Sequence, residues 1–184
     1  MEIRITTTQV LKIMQVFSWI IFIGLCVEAG GFIFNLLFTL FRNPIAAKSF
    51  WMGMDLSALY QYDTGYFTTT VVLMVIVALL KALLFYLIVK TFHDKKIDLL
   101  HPFTPSMGRF IANLSYLCVG ISIISKWGTG TVRWLTKQEV QMPDIQDLRL
   151  GGSDVWLLMG VTLFVIAQIF KRGIEIQSEN DLTV

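Results

Sequence analysis

Four apolar stretches, each close to the length needed to cross a lipid bilayer, leave this chain little choice of fold. The hydrocarbon core of a bilayer takes about 20 apolar residues per helix, with a range of roughly 17 to 25. The first stretch runs from about Ile13 to Phe41 and the second from about Phe67 to Phe92. The third runs from about Phe110 to Trp127, and the short fourth from about Val155 to Phe170. Lipid admits only structures that satisfy their own backbone hydrogen bonds, and a barrel would show alternating strands instead of continuous runs. The expected fold is an all-α integral membrane protein. It has four transmembrane helices over about 13–41, 67–92, 105–127 and 154–172, in a single membrane domain spanning 1–184, with a tail at 173–184.

Composition agrees. Hydrophobic residues make up 55% of the chain and charged residues 15%, with a mean hydropathy of +0.66, whereas soluble domains carry roughly 25% charged residues. A net charge of +2 with no basic stripe argues against direct nucleic-acid binding. Cys26 and Cys118 both fall in apolar runs and read as small buried hydrophobes, neither a disulfide framework nor a metal site.

Arg4 and Lys12 before an apolar run resemble a signal peptide, and Val27 and Ala29 would suit a peptidase. The run continues through "GGFIFNLLFTLF", however, so it reads as an anchor, and the bulky Leu25 before Cys26 argues against a lipoprotein site. The Gly30–Gly31 pair marks a bend or a close helix contact.

Four spans place both termini on one side of the membrane. The N-terminal segment, central loop and tail hold eight Lys and Arg near the membrane, against six in the other two loops. By the positive-inside rule the termini are expected in the cytoplasm. The two outer loops, "NPIAAKSFWMGMDLSALYQYDTGYF" and "GTGTVRWLTKQEVQMPDIQDLRLGG", exceed the 2 to 8 residues that usually join bundled helices. Trp51, Tyr60, Tyr62 and Tyr66 in the first suit an interfacial helix at headgroup level. The second ends in two glycines before Asp154, which could cap the fourth helix, and its Gly128 and Gly130 lack the Lys-Ser/Thr ending of a phosphate loop.

Glu28 and Lys81 are the ionisable groups deep in apolar runs. Such charges are expensive there and are expected to face the bundle interior. At 1.5 Å per residue, Glu28 lies roughly 22 Å from the start of its helix and Lys81 roughly 15 Å from the end of the adjacent antiparallel one. An intramembrane ion pair that sets helix register is therefore expected, with a proton or ion relay as the functional alternative. The other polar groups in the runs, Asn35, Asn113, Ser122 and Gln168, are scattered, whereas a relay needs a path.

His93, Asp94, Asp98 and His101 resemble metal ligands at first sight. Their spacing lacks the helical face of H-E-x-x-H, and nearby lysines would repel a cation. Neither His lies near a glycine-flanked serine. The expectation is a protein with no cofactor, no metal and no catalytic residues.

In the central loop, Thr104 followed by Pro105 is a strong helix start: the threonine oxygen can accept a free amide hydrogen bond and proline tolerates the first helical position. The third helix should begin at Pro105, after a turn through Pro102 and Phe103, and "KKIDLLHPF" before it suits a segment lying on the membrane surface. Beyond the fourth span, Lys171 and Arg172 stop transfer and helix can continue through "GIEIQSEN". Glu175 and Glu179 repel each other at a spacing of four, so the tail gains order from a partner or frays. Ile174, Ile176, Leu182 and Val184 would be its apolar anchors, and "DLTV", which opens with Asp181, has the β-propensity to add a strand to another protein's sheet.

"PFTPSMGRFIANLSYL" and "FKRGIEIQSENDLTV", with the four-span layout around them, resemble the DUF2975 family of small bacterial membrane proteins, a domain of unknown function. In that family the turn is typically followed by a more basic helix start, where this chain has only Arg109. The resemblance implies a neighbouring helix-turn-helix regulator as a cytoplasmic partner and supplies no catalytic residues. The expected function is a membrane-embedded regulatory or sensory partner of such a protein, with the tail as docking element. The alternatives are a small transporter or channel component using Glu28 and Lys81, and a structural subunit of a larger assembly; the oligomeric state is left open.

Overall fold

The computed structural model describes residues 7–94 and 103–181. Among the described residues there are five α-helices and no strand: α1 (Thr7–Phe41), α2 (Ser57–Tyr62), α3 (Thr64–His93), α4 (Pro105–Lys137) and α5 (Ser153–Asp181), with a 3-10 turn at Pro44–Ser49. Four of them, all but α2, are long and apolar enough to cross a bilayer. The chain is built as a multi-pass membrane protein.

Two of the long helices begin for a local reason. Asp63 caps α3 by accepting the Tyr66 amide hydrogen bond at 2.8 Å. Thr104 caps α4 with its hydroxyl on the Met107 amide at 3.3 Å, and Pro105 opens the helix as expected. α1 runs without interruption through the Gly30–Gly31 pair. Gly31 lies where the Trp51 ring presses against the helix, leaving no room for a Cβ, while Gly30 faces open space. α4 runs on to Lys137, well past Trp127, through residues whose glycines suggested a loop. Gly128 sits under Leu150, with side-chain atoms 2.9 Å from where its Cβ would be, and the Thr129 hydroxyl donates to the Leu150 carbonyl at 3.0 Å. This glycine permits a close approach within a helix.

The long helices pack in series, α1 on α3, α3 on α4 and α4 on α5. Among the described residues α1 packs closely on neither α4 nor α5. The α4–α5 contact rests on small residues. Ser115 donates to the Gly160 carbonyl at 2.8 Å and Ser122 to the Ser153 carbonyl at 2.6 Å, and a Cβ on Gly160 would lie 2.8 Å from Val119. Small residues let backbones approach where lipid gives helices no hydrophobic reason to associate.

The tightest core lies at the loop end of the bundle. Phe32 of α1, Phe67, Val71 and Met74 of α3 and Leu135 of α4 are fully buried there, closed over by Phe50, Leu56 and Leu59 from the first connection and Leu148 and Leu150 from the second. The first connection is therefore a packed cap, pinned by Leu56 N–H donating to the Ala47 carbonyl at 2.7 Å, and it carries the short helix α2. Its aromatics face the protein as well as its surface: Trp51 meets Phe32 edge-on, Tyr60 meets Phe67, and Tyr66 meets Trp134 of α4. Outside this core, α1 and α5 leave large apolar side chains such as Phe17, Ile20, Leu158 and Val165 exposed, as a lipid-facing surface does.

Candidate functional site

The two connections meet over a cavity of about 490 Å³, within the size range of small-molecule sites. One wall comes from the first connection through Trp51, Met54 and Asp55, the other from the second through Gln141, Asp147 and Arg149. Three residues of this rim hold left-handed backbone, Met52 at φ 50°, Gly53 at 84° and Arg149 at 58°. For Met and Arg that conformation is costly and persists only where the surroundings over-determine it, a pattern that clusters at ligand clamps and switch regions.

The cavity mixes one guanidinium with two carboxylates and an apolar floor. Asp55 accepts hydrogen bonds from the Ser57 hydroxyl at 2.6 Å and the Ser57 amide at 2.8 Å, which hold its carboxyl below the usual carboxylate range. The Trp51 indole N–H is buried and finds no hydrogen-bond partner among the described residues. A site with two carboxylates and a cation around apolar side chains is complementary to a small polar molecule carrying charges of both signs.

Arg149 links this cavity to the helices. Its guanidinium Nε lies 3.6 Å from the Glu28 carboxylate of α1, and its carbonyl accepts a hydrogen bond from Lys81 Nζ of α3 at 3.2 Å. Lys81 also lies 5.8 Å from the ring centre of Trp156, in the first turn of α5. Glu28 and Lys81 thus come to the same residue, and both the Glu28 and Arg149 charges act on the Lys81 ammonium. Because Arg149 precedes α5 by four residues and Lys81 reaches Trp156, the cluster lies level with the start of α5, at the edge of its apolar segment.

The other sequence-predicted groups are dispersed. Asn35 donates to the Gly31 carbonyl of its own helix, Ser122 serves the α4–α5 contact, and Asn113 and Gln168 are exposed. His93 ends α3 and Asp94 follows it, while Asp98 and His101 lie outside the described residues; among the described residues no group of His, Cys, Asp and Glu could hold a metal. Pro102 and the surface segment before it also lie outside. Phe103 stacks near Phe170 at 5.2 Å and covers Gly173. The tail continues α5 to Asp181. Ile174 turns inward, 3.5 Å from where a Cβ on Gly108 would sit, Glu175 pairs with Arg172 at 3.0 Å, and Glu179 is exposed. Leu182 and Val184 lie outside the described residues.

Sequence reasoning missed Arg149, Trp51, Asp55 and Asp147 as site residues. Arg149 counted only as one loop charge, and its role depends on the second connection folding back along α4. The only signal available was an arginine between leucines, "LRL", beside two glycines.

A family model for a protein of unknown function, DUF2975, matches residues 18–184, nearly the whole chain. No curated protein and no solved structure matches the chain.

Proposed function

We propose that this chain, which belongs to the DUF2975 family, is a non-enzymatic membrane regulator that senses a small polar molecule at its loop end and signals through its tail. In this reading the termini are cytoplasmic, the membrane is a bacterial inner membrane, and the tail partner is a soluble regulator of the helix-turn-helix kind. The observation that carries it is the position of Arg149. It lines the cavity, holds a strained backbone, contacts α1 and α3, and stands one turn before α5. A ligand that moves Arg149 acts on the start of a helix that continues unbroken to Asp181 in the tail. Allosteric coupling of this kind requires Arg149 to take a second arrangement when the cavity is filled.

The test is crosslinking from native membranes of the full chain, a chain truncated after Arg172, and Ile176→Asp. Ile176 is 46% exposed, so this change spares the inward Ile174 contact. The reading expects one DNA-binding regulator captured by the full chain, lost in both variants, and captured to a different extent in Arg149→Gln. An unchanged captured set would sink it. Ion or solute flux that falls in Glu28→Gln while no partner is captured would favour a transport role for the Glu28–Arg149–Lys81 cluster.

A further inference from the structure

At the opposite end of the bundle, α3 and α4 enclose a second cavity of about 310 Å³. Lys90 enters it from the last turn of α3, and Ser106, Arg109 and Asn113 from the first turns of α4, with Leu87 and Phe110 as apolar wall. Among the described residues no carboxylate lines it. Among the described residues Lys90 has no ion pair and the Asn113 amide no hydrogen bond, while Arg109 commits only its Nε, to the Pro105 carbonyl at 3.4 Å. Two like charges and an amide gathered around one space, without an acid among them, form a site whose complement is an oxyanion.

The level of the cavity narrows the choice of oxyanion. Gly108 lies beside Ile174 and Phe103 beside Phe170, so the first turns of α4 stand level with Lys171 and Arg172, where the apolar segment of α5 ends. This is where lipid headgroups meet a spanning helix, and basic pockets between helices at that depth bind anionic headgroups. We infer that the Lys90–Arg109–Asn113 cavity is a binding site for the phosphodiester headgroup of an anionic phospholipid. Lys90 and Arg109 flank the phosphate, Asn113 and Ser106 contact its ester or glycerol oxygens, and the acyl chains run along the apolar wall at Leu87 and Phe110. The site is independent of the ligand proposed for the loop end.

The experiment uses the full chain purified in a neutral detergent. Thermal unfolding and native mass spectrometry are recorded with added phosphatidylglycerol, phosphatidylcholine or inorganic phosphate. Phosphatidylglycerol should raise the unfolding midpoint and remain bound, whereas phosphatidylcholine and inorganic phosphate should do neither. Lys90→Ala and Arg109→Ala should each weaken phosphatidylglycerol binding about fivefold, as loss of one cation near a headgroup predicts. Lys171→Ala with Arg172→Ala, at the same level but outside the cavity, should leave most of the binding intact. Asn113→Leu keeps both charges and should also weaken it, which covers the case where a charge variant does not fold. Equal protection by phosphatidylcholine, or binding unchanged in the Lys90, Arg109 and Asn113 variants, overturns the inference. Equal protection by inorganic phosphate overturns its lipid component.

Discussion

The guanidinium of Arg149 lies 3.6 Å from the carboxylate of Glu28, tying the end of the second connection to the middle of α1. Since α1 packs along α3 and not along α4 or α5, this contact joins the two ends of the helix series at the cavity. Glu28 is mostly buried and Arg149 about half exposed, so solvent screens the pair and its worth is that of a partly exposed ion pair. Glu28→Gln and Arg149→Gln should each lower stability, and the double variant by less than their sum. The expected coupling is on the order of 0.5 kcal/mol in a double-mutant cycle on unfolding in detergent. Strict additivity would mean that the contact carries no energy.

Neighbouring glycines in α1 should respond with opposite sign. A Cβ at Gly30 meets open space, so Gly30→Ala gains helix propensity and should be neutral or stabilising by up to about 1 kcal/mol. At Gly31 a Cβ runs into the Trp51 ring, and Gly31→Ala should cost about 1–3 kcal/mol as overpacking that displaces the cap. Trp51 fluorescence should shift in the second variant only.

At Gly160 the backbone of α5 lies close against α4. A Cβ there would lie 2.8 Å from a Val119 methyl and 3.1 Å from the Val119 backbone nitrogen, and backbone cannot step aside as a side chain can. Gly160→Val should lower the unfolding midpoint, with a cost of about 1–3 kcal/mol. The same packing shields Cys118, which is fully buried, while Cys26 is exposed. A membrane-permeant thiol reagent should label Cys26 alone in the parent protein and reach Cys118 in Gly160→Val. Labelling of Cys118 in the folded parent would contradict the α4–α5 arrangement.

Asp55 should titrate below the usual carboxylate range, because the Ser57 hydroxyl and amide both donate to its carboxylate. A folded-state value depressed below the unfolded one stabilises the fold at pH values above the unfolded value. That contribution declines as pH falls through the folded value, so the Asp55–Ser57 turn ahead of α2 weakens only in acid, below the ordinary carboxylate midpoint. Ser57→Ala removes the largest cause and should return the Asp55 carboxyl carbon titration, followed by NMR, towards its ordinary midpoint. An unchanged midpoint would show that the Ser57 hydroxyl does not hold the carboxylate.

The amino-acid sequence by itself determined that four helices form and roughly where they lie, because about 20 consecutive apolar residues have one stable solution in lipid. It also determined the start of α4 at Thr104–Pro105, since a cap is local chemistry within four residues. It did not carry α4 past Trp127, where the apolar run ends; the helix continues from Gly128 to Lys137 as part of the packed end of the bundle, with Gly128 under Leu150. Only the tertiary structure decided that the connections form a packed cap, because Phe50, Leu56, Leu148 and Leu150 are buried by partners far away in the chain. The same holds for the fate of the two charges. Glu28 and Lys81 are each visible in their apolar runs, yet what meets them is Arg149, brought there by a loop that doubles back along α4. No periodicity encodes that return path, which depends on side chains fitting across elements at a distance.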